Sequence, residues 1–240
     1  MTILEFANVQ KSFANRLNSP FAFLSKGQNV VLRDVDFRLE TGEAVGVVGE
    51  NGAGKTTLLK LAASLIWPTH GVVRIFGVES TRLPPNLCRK VGFAGAGDRT
   101  FYGRLSVVDN LEYFGGLAGI RSAALRRQIV RLGKEFDITV HLDRPYRELS
   151  SGIRHCASIV RALLHEPELL LLDEPTRSLD AAHRDLIFNS LRRWMRAEGR
   201  ACLLTTHDTA AAAYVDRTIR IAGGALVANS AWVKADSPAC

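Results

Sequence analysis

Short apolar runs open the chain, and residues 3–9, 37–39 and 43–48 each read as a strand. The third run is β-branched and stops at Gly49, where a glycine-rich turn leads into residues 55–65. There Leu58, Leu59, Ala62 and Leu65 recur at helical spacing. Strands are expected at 72–75 and 90–94. From 107 to 136 the period becomes helical, with Leu111, Phe114 and Leu117 on one face, and Leu125, Ile129 and Leu132 repeat the pattern after Gly119. A further helix is expected at 153–164. Strand and helix then alternate through 169–172, 181–194, 201–205 and 209–214, and two short strands follow at 218–221 and 225–227. Residues 14–29, rich in Asn, Ser, Pro and Gly, read as a loop.

Alternating βα units at both ends of the chain predict a mostly parallel sheet flanked by helices, with helical residues 96–165 inserted into it. No internal repeat is present, and one domain spanning 1–240 is expected. With 47% hydrophobic and 23% charged residues, the chain has enough apolar material for a sizeable core. The formal charge of +7 is compatible with an anionic partner without specifying one. No run approaches the roughly 18 apolar residues of a membrane span. Residues 1–13 lack the zones of a signal peptide, so a cytoplasmic chain is expected. Cys88, Cys156, Cys202 and Cys240 form no CxxC pair, which argues against a zinc or dithiol site.

The chemistry concentrates in two places. Residues 49–57, Gly49, Glu50, Asn51, Gly52, Ala53, Gly54, Lys55, Thr56 and Thr57, satisfy G-x-x-x-x-G-K-[ST] between an expected strand and an expected helix. In that context the glycines let backbone N–H groups converge on phosphate oxygens, and the helix N-terminus adds its positive end. Lys55 would reach the β- and γ-phosphates, and the Thr56 hydroxyl would ligate Mg²⁺. The second place is the apolar run 169–172, which delivers Asp173 and Glu174 at the end of a strand, where open α/β sheets bind their ligands. Asp173 would hold Mg²⁺ through its water shell, and Glu174 would accept a proton from an attacking water.

With these motifs in place, the chain resembles the ATP-binding cassette (ABC) ATPases along nearly its whole length. Residues 148–180, ELSSGIRHCASIVRALLHEPELLLLDEPTRSLD, are similar to the family's signature, Walker B and D-loop in one run. The resemblance implies a P-loop NTPase fold with an N-terminal antiparallel β subdomain. It places the signature on Ser150, Ser151 and Gly152, the D-loop aspartate on Asp180 and the switch histidine on His207. It also places Phe13 where the family stacks an aromatic ring on adenine. It implies ATP and Mg²⁺ as cofactors and a head-to-tail dimer sandwiching two ATP molecules. The catalytic group would be Glu174, His207 and Lys55. It further implies a separate integral-membrane permease, with the chain peripheral on the cytoplasmic face of the membrane.

Two departures shape the expectation. The family's glutamine after the strand at 90–94 is missing, and AGAGDRTFYGRLS stands in its place, with Asp98 the nearest polar candidate. The signature reads LSSGI, which resembles the version found in exporters of polysaccharides and of lipid-linked or amphipathic molecules. Phe101, Tyr102 and Leu105 form an apolar run that suits a groove for a short permease helix, with inward packing as the alternative. Phe21 and Phe23 are further candidates for a membrane partner, with packing on the sheet again the alternative. Arginines at 121, 126, 127, 131, 192, 193 and 196 read as solvated helix faces, or as surfaces near an anionic leaflet. The rival reading is an ABC-type ATPase acting on nucleic acid or ribosomes. A single cassette without sustained heptads disfavours it.

Overall fold

The computed structural model describes residues 1–14, 28–95, 101–176, 179–207 and 213–227. Two sheets organise them. Strands β1 (Thr2–Ala14), β2 (Gln28–Glu40), β4 (His70–Ile75) and β5 (Val78–Glu79) form an antiparallel sheet in the order β2-β1-β4-β5. Strands β3 (Ala44–Gly49), β6 (Val91–Ala94), β7 (Leu169–Asp173), β8 (Ala201–Thr206), β9 (Arg217–Ala222) and β10 (Ala225–Val227) form the second, in the order β10-β9-β3-β8-β7-β6. Its pairings are parallel except for β10 with β9.

Strands β7 and β8 of the second sheet are buried on both faces, which explains the unbroken leucine run of β7. Leu170 and Leu172 join Cys202 and Leu204 in a core beneath the helices α3 (Val107–Leu117), α4 (Ser122–Glu135), α5 (Ser151–Leu163) and α6 (Ala181–Met195). Leu169 and Leu171 face the other way, into a core shared with the antiparallel sheet and helix α1 (Lys55–Ala62). Helix α2 (Pro85–Cys88) is a single turn between β5 and β6. Cys156 and Cys202 are buried, and burial pushes both thiols up to about 12, well away from thiolate chemistry at neutral pH.

Several expected boundaries are corrected. The first two strands are far longer than 3–9 and 37–39. Ala14 pairs with Gln28 and Phe13 with Asn29, so both ends of the expected 14–29 loop belong to strands. The pattern hid this because the register shifts repeatedly. At Asn8, φ is 48° and the backbone N–H donates to Asp36 Oδ1, which breaks the period of two. Helix α1 stops at Ala62, short of 65, because Ser64 turns left-handed (φ 55°) and its hydroxyl donates to the Ser80 carbonyl. Leu65 is therefore exposed, and so is Leu117 at the C-terminal end of α3. The expected helix at 209–214 falls mostly outside the described residues, as do Phe21, Phe23 and Asp98.

Helix α3 begins with a capping box. Ser106 accepts from the Asp109 N–H, and Asp109 accepts from the Ser106 N–H. One turn on, Asn110 is fully buried and holds the preceding loop. Its Oδ1 accepts from the Tyr102 N–H at 2.7 Å, and its Nδ2 donates to the Tyr102 and Ser106 carbonyls at 3.1 and 2.8 Å. Phe101 is also buried, stacked on Tyr146 at 4.4 Å between ring centres. Of the three apolar residues expected to be available there, only Tyr102 and Leu105 are exposed. Phe101 packs inward because its ring fills the core between Tyr146 and Phe114.

Candidate active site

The ends of β3 and β7 lie on the same side of the parallel sheet, with β8 between them. Between β3 and α1 the chain makes the expected phosphate-loop turn. A side chain at Gly49 would bring a Cβ within 2.5 Å of the Ile221 carbonyl on β9, so only glycine lets β3 run this close. Gly54 is the N-cap of α1 at φ 107°, a region other residues rarely adopt. We expect Gly49→Ala to lower unfolding stability by ~1–3 kcal/mol through overpacking against a backbone atom. Urea unfolding measures this, and an unchanged midpoint would mean that the turn yields without cost.

The start of α1 differs from those of α5 and α6. It has no side-chain cap and no acidic residue in its first turn. By contrast, Ser150 caps α5 by accepting from the Ile153 N–H, and Asp180 caps α6 by accepting from the His183 N–H. The first N–H groups of α1 thus carry no competing side-chain acceptor, the condition for binding an anion.

A cavity of about 260 Å³ opens over this turn, lined by Val31, Glu50, Asn51, Gly52, Gly54, Lys55, Thr56, Thr57, Asp173 and Glu174. Lys55 is buried, and its Nζ donates to the carbonyls of Gly49 (2.6 Å) and Glu50 (3.1 Å). Thr56 Oγ1 donates to Asp173 Oδ2 at 2.8 Å, which joins the two motifs across the sheet. His207 Nδ1 lies 3.4 Å from Glu174 Oε1. Residues 49–57, Asp173, Glu174 and His207 are therefore assembled into one place by strands far apart in sequence.

The remaining expected residues lie elsewhere. Phe13, Ser150, Ser151, Gly152 and Asp180 do not line the cavity. Phe13 is exposed near the end of β1, with Lys11 Nζ 5.0 Å from its ring centre. A Cβ at Gly152 would stand 2.7 Å from Leu179 Cδ2, so the start of α5 and the approach to α6 are in close contact. The Asp180 carboxyl is held below the usual carboxylate range, chiefly by the backbone N–H of His183 and then by its ring.

Val31 was not anticipated at the cavity. It lies in a stretch of β2 between the expected 14–29 loop and the expected strand at 37–39, where the sequence pattern assigns no element. Thr205, on β8 beside Asp173, is a second residue without a sequence signal. In sequence it is one β-branched strand residue among several, and only its place two residues before His207 sets it apart.

This combination of an uncapped helix start, a buried lysine and a threonine–aspartate pair across a parallel sheet defines a P-loop nucleotide-hydrolase cassette. The profile of the ABC transporter family matches residues 32–177, and the chain belongs to that family. It is an ABC-type ATPase and an ATP-binding subunit of the kind that serves transporters, exporters among them.

Three relatives show the range. The chain is 36% identical over 176 residues to the ABC transporter ATP-binding protein NatA of Bacillus subtilis, covering 73% of this chain and 71% of NatA. It is 34% identical to the Nod factor export ATP-binding protein I of Cupriavidus pinatubonensis, covering 85% of this chain and 58% of that relative. With the bacitracin export ATP-binding protein BceA of Halalkalibacterium halodurans it shares 31% identity, over 93% of this chain and 87% of BceA.

Among solved structures, the ATP-binding cassette MJ0796, in a dimeric post-hydrolysis state bound to ADP and Pi, superposes with a TM-score of 0.82. That match has 23% identity and covers 93% of this chain and 96% of that one, and at this identity it speaks to the fold. An ATP-binding subunit of an ABC transporter superposes at 0.80 with 26% identity, over 96% and 90% of the two chains. Among the described residues, no helix is long and apolar enough to cross a membrane.

Proposed function

We propose that this chain binds ATP with Mg²⁺ at residues 49–57 and Asp173 and hydrolyses it with Glu174 as general base. Two copies would close head to tail over two nucleotides, and the motion would drive export through a separate membrane permease. The Thr56–Asp173 contact carries this reading, because it sets a hydroxyl and a carboxylate together beside the uncapped start of α1. That pair is an all-oxygen donor set, as a hard divalent cation requires. When bound, Mg²⁺ would neutralise charge on the transferred phosphoryl group. Lys55 would turn its ammonium from two backbone carbonyls to the phosphates, exchanging neutral acceptors for charged ones. Glu174 would take the proton of the attacking water. His207, in reach of the Glu174 carboxylate, would hold that carboxylate's orientation and meet the γ-phosphate.

Ser150, Ser151, Gly152 and Asp180 lie outside the cavity and at exposed helix starts, as groups serving a partner's nucleotide should. The export direction draws support from relatives named for Nod factor, bacitracin and macrolide export. The LSSGI signature points further, to a polysaccharide, lipid-linked or amphipathic substrate.

The permease would dock at the exposed pair Tyr102 and Leu105, beside Tyr113, whose ring meets Tyr102 edge-on at 5.3 Å. Tyr102→Ala should leave the ATPase rate of the isolated subunit within about threefold, a change below 1 kcal/mol. The same change should cut permease-stimulated hydrolysis much further. Co-purification from detergent-solubilised membranes, followed by ATPase assays with and without the recovered polytopic subunit, tests the whole reading. Equal losses in both assays would mean that Tyr102 serves packing alone.

A further inference from the structure

Asp173 and Glu174 are consecutive, yet both face one cavity. Neighbouring residues on a strand point to opposite faces, so the chain must turn between them. It does so at Glu174, whose φ is 50°. A left-handed residue of this kind persists only where its surroundings hold it.

Thr205 supplies much of the hold. The parallel register sets it beside Asp173, and it is fully buried. Its Oγ1 donates to Asp173 Oδ1 at 2.6 Å and accepts from the Glu174 N–H at 3.0 Å. Its carbonyl accepts from the same N–H at 3.1 Å. A hydroxyl has one proton and two lone pairs, so once the proton goes to the carboxylate, the oxygen is free to receive the amide. The other oxygen of Asp173 takes the Thr56 hydroxyl. Two threonines thus fix the rotation of Asp173, and one of them also fixes the backbone of Glu174.

We infer that Thr205 is a positioning residue for hydrolysis, whose hydroxyl sets the Asp173 carboxylate and the left-handed turn at Glu174 as one unit. This rests on the assignment of Asp173 and Glu174 proposed above. Thr205 does not line the cavity, so it acts through these two residues and touches no substrate.

Thr205→Val keeps the shape and β-branching but removes both side-chain hydrogen bonds. It should lower kcat by about 10- to 100-fold, the scale of one lost hydrogen bond to a charged group. ATP affinity without Mg²⁺, read by a fluorescent nucleotide analogue, should stay within about threefold. The gain in affinity on adding Mg²⁺ should shrink. Thr205→Ser should restore kcat and the Mg²⁺ effect. In a Glu174→Gln background, Thr205→Val should add little further loss, because residues acting as a unit are not additive. If the valine variant does not fold, Thr205→Ala replaces it with the same expectation.

A Thr205→Val kcat within threefold of wild type overturns the inference. So does a serine variant as impaired as valine, or an equal loss of Mg²⁺-free nucleotide binding. Failure of the underlying reading looks different, because Glu174→Gln would then turn over at the wild-type rate whatever Thr205 does.

Discussion

Glu174→Gln is expected to bind ATP normally and to hydrolyse it about 10²- to 10⁴-fold more slowly, the contribution of a positioned general base. The substitution is nearly isosteric. The contacts that place residue 174 run through its backbone N–H to Thr205, and glutamine retains them. Glutamine's carbonyl oxygen can still accept from His207, where the Glu174 carboxylate now stands 3.4 Å from Nδ1. What the substitution removes is the negative charge and basicity of the carboxylate. Lys55 and the N-terminus of α1 are untouched, so nucleotide affinity should change by no more than a few-fold. Single-turnover hydrolysis with ATP in the presence of Mg²⁺ measures the chemical step without product release. Wild-type speed in that assay would remove Glu174 from the mechanism. A dead variant that has also lost ATP binding would instead indicate damage to the turn at β7.

The parts of this site that were legible in sequence are those whose geometry is local. The phosphate loop is a strand, a turn and a helix start in nine consecutive residues, and glycine spacing alone dictates how the backbone curls. The carboxylates at the end of β7 were legible for a similar reason, since a run of four leucines closed by charges on both sides is the length and pattern of a strand buried on both faces. Thr205 and Val31 were not legible, because their roles come from register between strands distant in sequence. The same applies to the antiparallel sheet. Its strands run on past the alternating pattern because Asn8 and its neighbours shift the pairing, and no residue count along one strand reveals its partner's register. Phe101 and Tyr102 show the limit most sharply. These adjacent aromatics have opposite fates, one stacked under Tyr146 and one exposed. A buried asparagine eight residues beyond Tyr102 holds the loop so that only the second faces out.

Mixing two inactive variants should restore activity, and the dependence on their ratio should be curved. Lys55→Ala removes the cation of the phosphate loop, so it should fail at its own nucleotide. The lost partner is a charge-assisted hydrogen bond to phosphate. Gly152→Asp leaves the phosphate loop intact. It sets a carboxylate at the start of α5, where the positive helix end would meet a nucleotide held by the other copy. An aspartate there must also displace Leu179, whose Cδ2 would lie 2.7 Å from the new Cβ. Each variant alone should therefore form dimers with no competent site. In a mixed dimer the two lesions segregate. One site carries both defects, while the other joins an intact Lys55 to an intact Gly152. Random pairing of equal amounts makes half the dimers mixed, so activity should reach about a quarter of wild type at the midpoint and fall off on either side. ATPase rate measured against mole fraction distinguishes this from every arrangement confined to one chain. If Ser150 and Gly152 served the nucleotide of their own subunit, both defects would remain in cis, and no mixture would recover anything.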